Sequence, residues 1–388
     1  MPQTKECAKC KLIKYASEFS ADRSSASGLA SYCNDCKRES VRAYRAKVRE
    51  RAEQQREAAT AGVDAFEITG ISSLVKYGED GEEVIAAQWI KTGKTKTQRL
   101  NELAKAIEGL AEPLKGVVIP TSGPEHCDSD LLAVYPMGDP HVGLYCWAEE
   151  TGHDFNLEIC TQNIQKAMLK TIDSAPNAER ALFVLLGDTF HSDNQSNRTA
   201  RSGNALDVDT RWPKVLREAI RTFRWCIDEL LAKHAHVDVI VAIGNHDDHS
   251  SIMLATALQL AYEDEPRCTV ADTTSKFHYY QHGKCLFGVT HGDTCKAKDL
   301  PMIMANDAAV QWGQCTFRHW MCGHVHHESV KDYTGCSVET FRVLAPGDAW
   351  HVGAGYRARR DMRCDVWHKE HGLITRHITG IELIEAMK

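Results

Sequence analysis

No stretch of this 388-residue chain approaches the roughly 18 consecutive apolar residues that a membrane-spanning helix needs, so a transmembrane segment is excluded. No apolar segment follows Met1, and the first residues are polar and charged, so a secretory signal peptide is not expected. Internal repeats and low-complexity tracts are lacking as well. Without a secretory signal, the 15 cysteines point away from a disulfide framework. They read as metal ligands or small buried apolar side chains in a reducing cytoplasm. The length suits one large enzyme domain with one or two small modules.

Four of the cysteines have zinc-ligand spacing. Cys7-Ala-Lys-Cys10 and Cys33-Asn-Asp-Cys36 are two knuckles separated by 22 residues. The rival redox reading needs a thioredoxin-like βαβ context, which is missing. Between the knuckles the sequence is polar and small, so one structural zinc would supply much of the folding energy. The run from Lys37 to Glu57 has no proline or glycine and reads as a helix, with eight basic and four acidic side chains. Residues 1–60 hold 13 Lys/Arg against 8 Asp/Glu, a net of +5 in a chain whose total is −7. Lys37, Arg38, Arg42, Arg45 and Arg49 are therefore candidates for nucleic-acid contact. A solvated helix or a protein-docking module is the alternative reading. This module occupies residues 1–61. Residues 62–130 combine a β-hairpin around Gly78–Gly81, a short amphipathic helix and a proline- and glycine-containing linker, with no assignable chemistry.

From residue 131 to 388, strand-like runs alternate with helical patterns, which indicates an α/β layered domain. Five segments there end an apolar run with metal-ligand residues. They are GDPHVG (Asp139, His141), LLGDTFH (Asp188), IGNHDD (Asn245, His246), THGD (His291) and CGHVHH (His324, His326). Carboxylate, imidazole and amide suit manganese, iron or zinc. Two such cations about 3.5–4 Å apart can clamp a phosphoryl group against an activated water. Asp188 is the candidate bridging carboxylate, and His246 is placed to supply a proton to the leaving oxygen.

The order of these motifs resembles the calcineurin-like metallophosphoesterase superfamily, whose pattern runs D-x-H, G-D, G-N-H-D/E, H, G-H-x-H. The resemblance implies a two-sheet sandwich flanked by helices, with a small N-terminal zinc module and basic helix added to it. It also implies one cation, most readily manganese, held by Asp139, His141, Asp188 and His326. The second would be held by Asp188, Asn245, His291 and His324, with His246 as the catalytic proton donor. His191, in GDTFHSDN, stands where many relatives carry aspartate, and is similar to the second site histidine of SbcD-type DNA-repair nucleases. The zinc module resembles those of phage HNH-type endonucleases. The expectation is a DNA nuclease of a bacterial or phage-infected cytoplasm, working alone, as a homodimer or with a coiled-coil ATPase.

Two other functions stay open: a phosphatase or phosphodiesterase on a small ester or nucleotide, and a non-catalytic DNA-binding or regulatory protein. Asp293, after His291 and Gly292, is expected to add negative charge near the substrate path. Asp247 reads equally as a partner for a histidine or as a turn-fixing residue. His249, His327, Glu328 and His351 read as incidental, and the arginines Arg357, Arg359, Arg360 and Arg363 as a solvated loop.

Overall fold

The computed structural model describes residues 4–22, 25, 27–44, 46, 67–77, 83–93, 122–199 and 202–387, with 67–77 and 83–93 described by backbone alone. Contacts divide the chain into two compact units, Met1–Lys105 and Ala106–Lys388. In the smaller unit, Thr4–Glu6 pairs with Ile13–Tyr15, and Phe19–Ala21 with Leu29–Cys33. A helix then runs over residues 34–44. Its buried cluster is Cys7, Phe19, Cys33 and Cys36, with Cys10 and Leu29 against it. Sulfur thus replaces the aliphatic core that the intervening sequence cannot provide. Glu67–Tyr77 and Glu83–Gly93 form an antiparallel hairpin. Arg45 and Arg49, and the amphipathic helix expected after the hairpin, lie outside the described residues.

The larger unit is a two-sheet α/β sandwich flanked by helices. The first sheet has the order β4-β3-β2-β1-β10-β11, from β1 (Asp128–Met137), β2 (Ala178–Leu185), β3 (His236–Val241), β4 (Cys268–Val270), β10 (Asp361–His368) and β11 (Gly372–Gly380). The second has the order β5-β6-β7-β9-β8, from β5 (His278–His282), β6 (Cys285–Thr290), β7 (Phe317–Cys322), β8 (Ser329–Tyr333) and β9 (Cys336–Thr340). Strands β1 to β4 run parallel, as do β6, β7 and β9. Parallel strands are covered on both faces, and β1 and β2 accordingly read as nearly unbroken apolar runs.

Two long helices cover the outer face of the first sheet. In α1 (Leu157–Ser174) the buried residues Leu157, Cys160, Ile164, Ala167, Met168 and Ile172 recur at helical spacing. Asn156 caps it by accepting the Ile159 N–H at 2.9 Å. In α2 (Trp212–Lys233) Pro213 opens the first turn, and Val215, Leu216, Phe223, Ile227 and Leu230 face the sheet. Losing Phe223 alone, which is fully buried, would cost about 3–5 kcal/mol. Between the sheets, Leu132, Val134, Leu182, Val184 and Ile240 meet Phe287, Val289, Met321, Phe341 and Trp367. Behind the second sheet, Trp320 lies over Gly288, where a Cβ would stand 2.5 Å from the indole. The Trp320 Nε1–H donates to Leu300 O at 3.0 Å, at the start of helix α4 (Leu300–Asp307).

One part of the intersheet core is ionic, contrary to the reading of Arg363 as a loop residue. Arg363 on β10 is buried, with its guanidinium 4.1 Å over the Phe341 ring, and pairs with Glu339 of β9 in the other sheet. Arg376 of β11 donates to both Glu339 oxygens, at 2.9 and 2.8 Å. Arg360 pairs with Glu385 at 3.2 Å, whereas Arg357 and Arg359 are exposed. Several of the remaining cysteines are small buried side chains, and burial pushes the Cys160 and Cys322 thiols up to about 12. Among the described residues, no helix is long and apolar enough to cross a membrane.

Candidate metal centre

The parallel strands of both sheets end on one edge, and every candidate ligand follows such an end. Asp139 and His141 come after β1, Asp188 after β2, Asn245 and His246 after β3, His291 after β6, and His324 and His326 after β7. Ligand sites at the carboxyl ends of parallel strands are a general property of α/β sheets. The backbone turns sharply there: Asp139 (φ 26°), His141 (46°), Asp188 (44°), His324 (68°) and His326 (57°) are all left-handed.

Two groups of ligand atoms result. Asp139, His141 and His326 lie within 4.8 Å of one another, and so do Asp188, His291 and His324. In the first, His326 Nε2 is 2.9 Å from Asp139 Oδ2 and 3.2 Å from His141 Nε2. In the second, His291 Nε2 is 3.2 Å from Asp188 Oδ2 and 3.1 Å from Asn245 Oδ1. Asp139, Asp188, His141 and His291 are buried, while Asn245 and His246 are half-buried and His324 exposed. The centre is therefore closed below and open above.

Glycine makes the closeness feasible. A Cβ on Gly244 would run into the Asp188 carboxylate and main chain, and one on Gly323 would strike Asp139 Oδ1. Backbone N–H groups orient the carboxylates: His246 N–H donates to Asp188 Oδ1 at 2.8 Å, and His324 N–H to Asp139 Oδ2 at 2.9 Å.

Electrostatics suit the same role. Burial, reinforced by neighbouring imidazoles, holds His141 well below the ordinary range and His191 at about 3. Both are neutral, as a metal-binding imidazole must be. Burial pushes the Asp188 carboxyl up, but the His291 charge outweighs it and keeps it ionised. Burial lowers His291, yet the Asp188 and Asp139 carboxylates raise it to about 10. A cation can replace the proton that His291 shares with these acceptors. The donor set and the glycine cradle thus fit a pair of divalent cations.

His246 has its Nδ1 2.9 Å from His191 O, so a proton there is donated to that carbonyl and Nε2 is left facing the centre, 4.0 Å from Asp188 Oδ2. His191 completes a triangle of rings with His141 and His246, its Nδ1 3.4 Å from His141 Nδ1 and its ring 5.6 Å from that of His246. Asp247 fixes the turn, accepting Phe190 N–H at 3.1 Å and Gly244 N–H at 3.0 Å. Asp293 does not line an open path: its side chain is 3% exposed, and Lys276 approaches it at 3.6 Å. His249 is held by Asp193, His327 bonds Val325 O, and Glu328 joins Arg342 and Arg363.

His351 corrects its reading as incidental. It stacks on His326 with ring centroids 5.1 Å apart and an interplanar angle of 19°. The chain alone carries no sign of this, because 24 residues and strands β8 and β9 separate the two. The four cysteines of the smaller unit also converge, with Cys7, Cys10, Cys33 and Cys36 sulfurs within 4.8 Å of one another. Lys37, Arg38 and Arg42 are exposed on the following helix.

No family model and no curated protein matches the chain. Among solved structures it is similar to an archaeal phosphodiesterase at 14% identity and a TM-score of 0.32, over 64% of this chain and 99% of that one. It is also similar to a conserved uncharacterized protein of Streptococcus pneumoniae, described as a predicted phosphoesterase, at 9% identity and a TM-score of 0.26, over 65% and 99%. A third is zinc-complexed Vps29 of Entamoeba histolytica, at 10% and 0.25, over 64% and 99%.

Proposed function

We propose that the larger unit is a two-cation phosphodiester hydrolase acting on nucleic acid, with DNA as its first candidate substrate. The observation that carries this reading is the meeting of Asp139, His141 and His326 beside Asp188, His291 and His324 at one open sheet edge. Two cations there, manganese by preference, would supply Lewis acidity toward a phosphoryl oxygen and an acidified water. The protein's part is to hold and orient: Asp188 would bridge the two cations, and the glycine turns keep both carboxylates close. His246, steered by the His191 carbonyl, presents Nε2 for proton transfer to the leaving oxygen.

A polynucleotide is favoured over a small ester by charge. At the start of α2, Arg211, Lys214, Arg217 and Arg221, with Glu218 paired to Arg221, line a surface groove of about 450 Å³. Arg211, Lys214 and Arg217 make no ion pair within the described residues, although the whole chain is acidic. On the buried side of the same helix turn, Val215 packs under Gly143, two residues from His141. Lys37, Arg38 and Arg42, following a zinc-holding cysteine cluster, offer a second phosphate-binding surface.

The test is cleavage of end-labelled linear duplex, single-stranded and closed circular DNA with manganese, beside the His246→Ala protein. Manganese-dependent cuts reduced roughly 10²–10⁴-fold in the variant are expected. Cleavage of no DNA, with a generic aryl phosphodiester still turned over, would move the assignment to a small-molecule phosphodiesterase. Wild-type activity in His246→Ala would refute the proton-donor role.

A further inference from the structure

A cluster of aromatic rings adjoins the metal centre, with His351, Trp350 and Tyr356 each 4.9–5.9 Å from the other two. It meets the centre at His326, placed above among the ligands. Asp348 caps the short helix Ala349–Gly353 and accepts both the His351 backbone N–H at 2.8 Å and the ring Nδ1–H at 2.7 Å. That pair of bonds holds the His351 ring flat against His326. Trp350 meets His351 edge-on, with centroids 4.9 Å apart at 88°. Tyr356 lies near-parallel to Trp350, at 5.8 Å and 26°. Arg357 donates to Val352 O at 3.0 Å and Tyr356 O at 2.8 Å, which ties down the far end of the turn.

The last two rings are open to solvent: Trp350 is 66% exposed and Tyr356 58%. A scattered surface aromatic needs no explanation. These two are stacked on each other, braced by hydrogen bonds, and two ring-to-ring steps of 5.1 and 4.9 Å from a ligand of the phosphoryl-binding centre. An exposed aromatic face this close to a phosphoryl-binding centre is where the base of a bound nucleotide can stack. The exposed Arg359 lies three residues beyond Tyr356, within reach of a neighbouring phosphate.

We propose that Trp350, backed by Tyr356, is a platform on which a base of the substrate nucleotide stacks while its phosphate lies on the metals. The proposal rests on the phosphodiesterase reading and narrows it: the substrate is a nucleotide diester with an unpaired base at this position. Every base has a π-face, so such a platform gives affinity with little sequence preference.

The test uses two diesters with one leaving group, thymidine 5′-(p-nitrophenyl) phosphate and methyl p-nitrophenyl phosphate. The wild-type preference in kcat/KM for the thymidine ester should fall about tenfold in Trp350→Ala and be largely kept in Trp350→Phe. An equal loss on both esters would mean that Trp350 only supports His326, and would overturn the platform. Calorimetric binding of thymidine monophosphate to the manganese-loaded protein gives a readout without turnover. Affinity about tenfold weaker in Trp350→Ala supports the platform, and unchanged affinity overturns it. Should neither ester be hydrolysed while binding still depends on Trp350, the phosphodiesterase reading fails and the base platform stands.

Discussion

Glu339→Gln should destabilise the larger unit without touching its metal centre. Glu339 is fully buried, and its carboxylate is the only group in β9 that reaches across to both Arg363 and Arg376 of the first sheet. His319 Nε2 adds a fourth contact at 3.1 Å. Removing one partner of a buried ion network costs about 3–5 kcal/mol, because the remaining charges stay desolvated. Arg363, 4% exposed, would keep Asp365 at 3.3 Å and Glu328 at 3.2 Å, which places the loss toward the lower end. The acid side offers an independent figure. Burial pushes the Glu339 carboxyl up, but His319 and Arg363 outweigh it and hold it at about 2 against an ordinary 4.5. A carboxyl so lowered contributes about 3 kcal/mol at neutral pH. That stability is complete above pH 4.5 and is lost as the pH falls from 4.5 toward 2. Asp365 has the opposite sign, since burial raises its carboxyl and the Glu339 charge raises it further, so the substitution also lets Asp365 move back toward its ordinary range. Thermal unfolding by calorimetry should show a Tm lowered by roughly 6–12 °C at pH 7. The gap to wild type should narrow below pH 4.5 and close near pH 2. A loss under about 1 kcal/mol, or one independent of pH, would refute the bridging role.

The metal centre and the cysteine cluster make further predictions. Asp188→Ala should lose both cations and all turnover, read by elemental analysis of the purified protein alongside the cleavage assay. Gly244→Ala should do the same through Asp188, since its Cβ has no room; a variant with full metal content would refute the cradle. Cys33→Ser should lose one zinc per chain and open residues 4–44 to proteolysis, with the Tm of the larger unit unchanged.

The ligands were legible because each lies within a few residues of a strand's end. An apolar run followed by Gly-Asp or Gly-Asn-His carries both the strand and the residue it delivers. Groups whose partners come from a distant strand were not. In β10 the alternation Met362, Cys364, Val366 reads as the buried face, which should leave Arg363 and Asp365 in water. Both faces are in fact covered, one by α1 and the other by the second sheet, and across the sheets the arginine is matched by Glu339, with Glu328 and Asp365 beside it. Charge complementarity across two sheets has no period along the chain. His351 was missed for the same reason: its ring acquires meaning only where the loop after β9 folds back over His326.

The backbone itself bears on function. Among the described residues seven non-glycine positions have positive φ, and five of them are candidate ligands. Each left-handed non-glycine residue costs about 1–3 kcal/mol, so the centre concentrates strain that a chain without a use for it would have no reason to hold. Aspartate and histidine enter this backbone region more readily than most residues, but non-glycine residues remain uncommon there, and Asp139, His141 and Asp188 are buried as well. The surrounding strands must impose it, and they do: His141 N–H bonds Asp188 O at 3.1 Å, and Val142 N–H bonds Thr189 O at 2.8 Å, locking the first two turns to each other. The same main-chain bonds that force these turns also bring the two carboxylates within reach of one pair of cations. A cation that binds the folded centre and not the unfolded chain would stabilise the fold by mass action. Metal-loaded protein should accordingly unfold at a higher temperature than chelated protein, and Asp188→Ala should show no such difference. A rise of equal size in that variant would place the stabilising cation elsewhere.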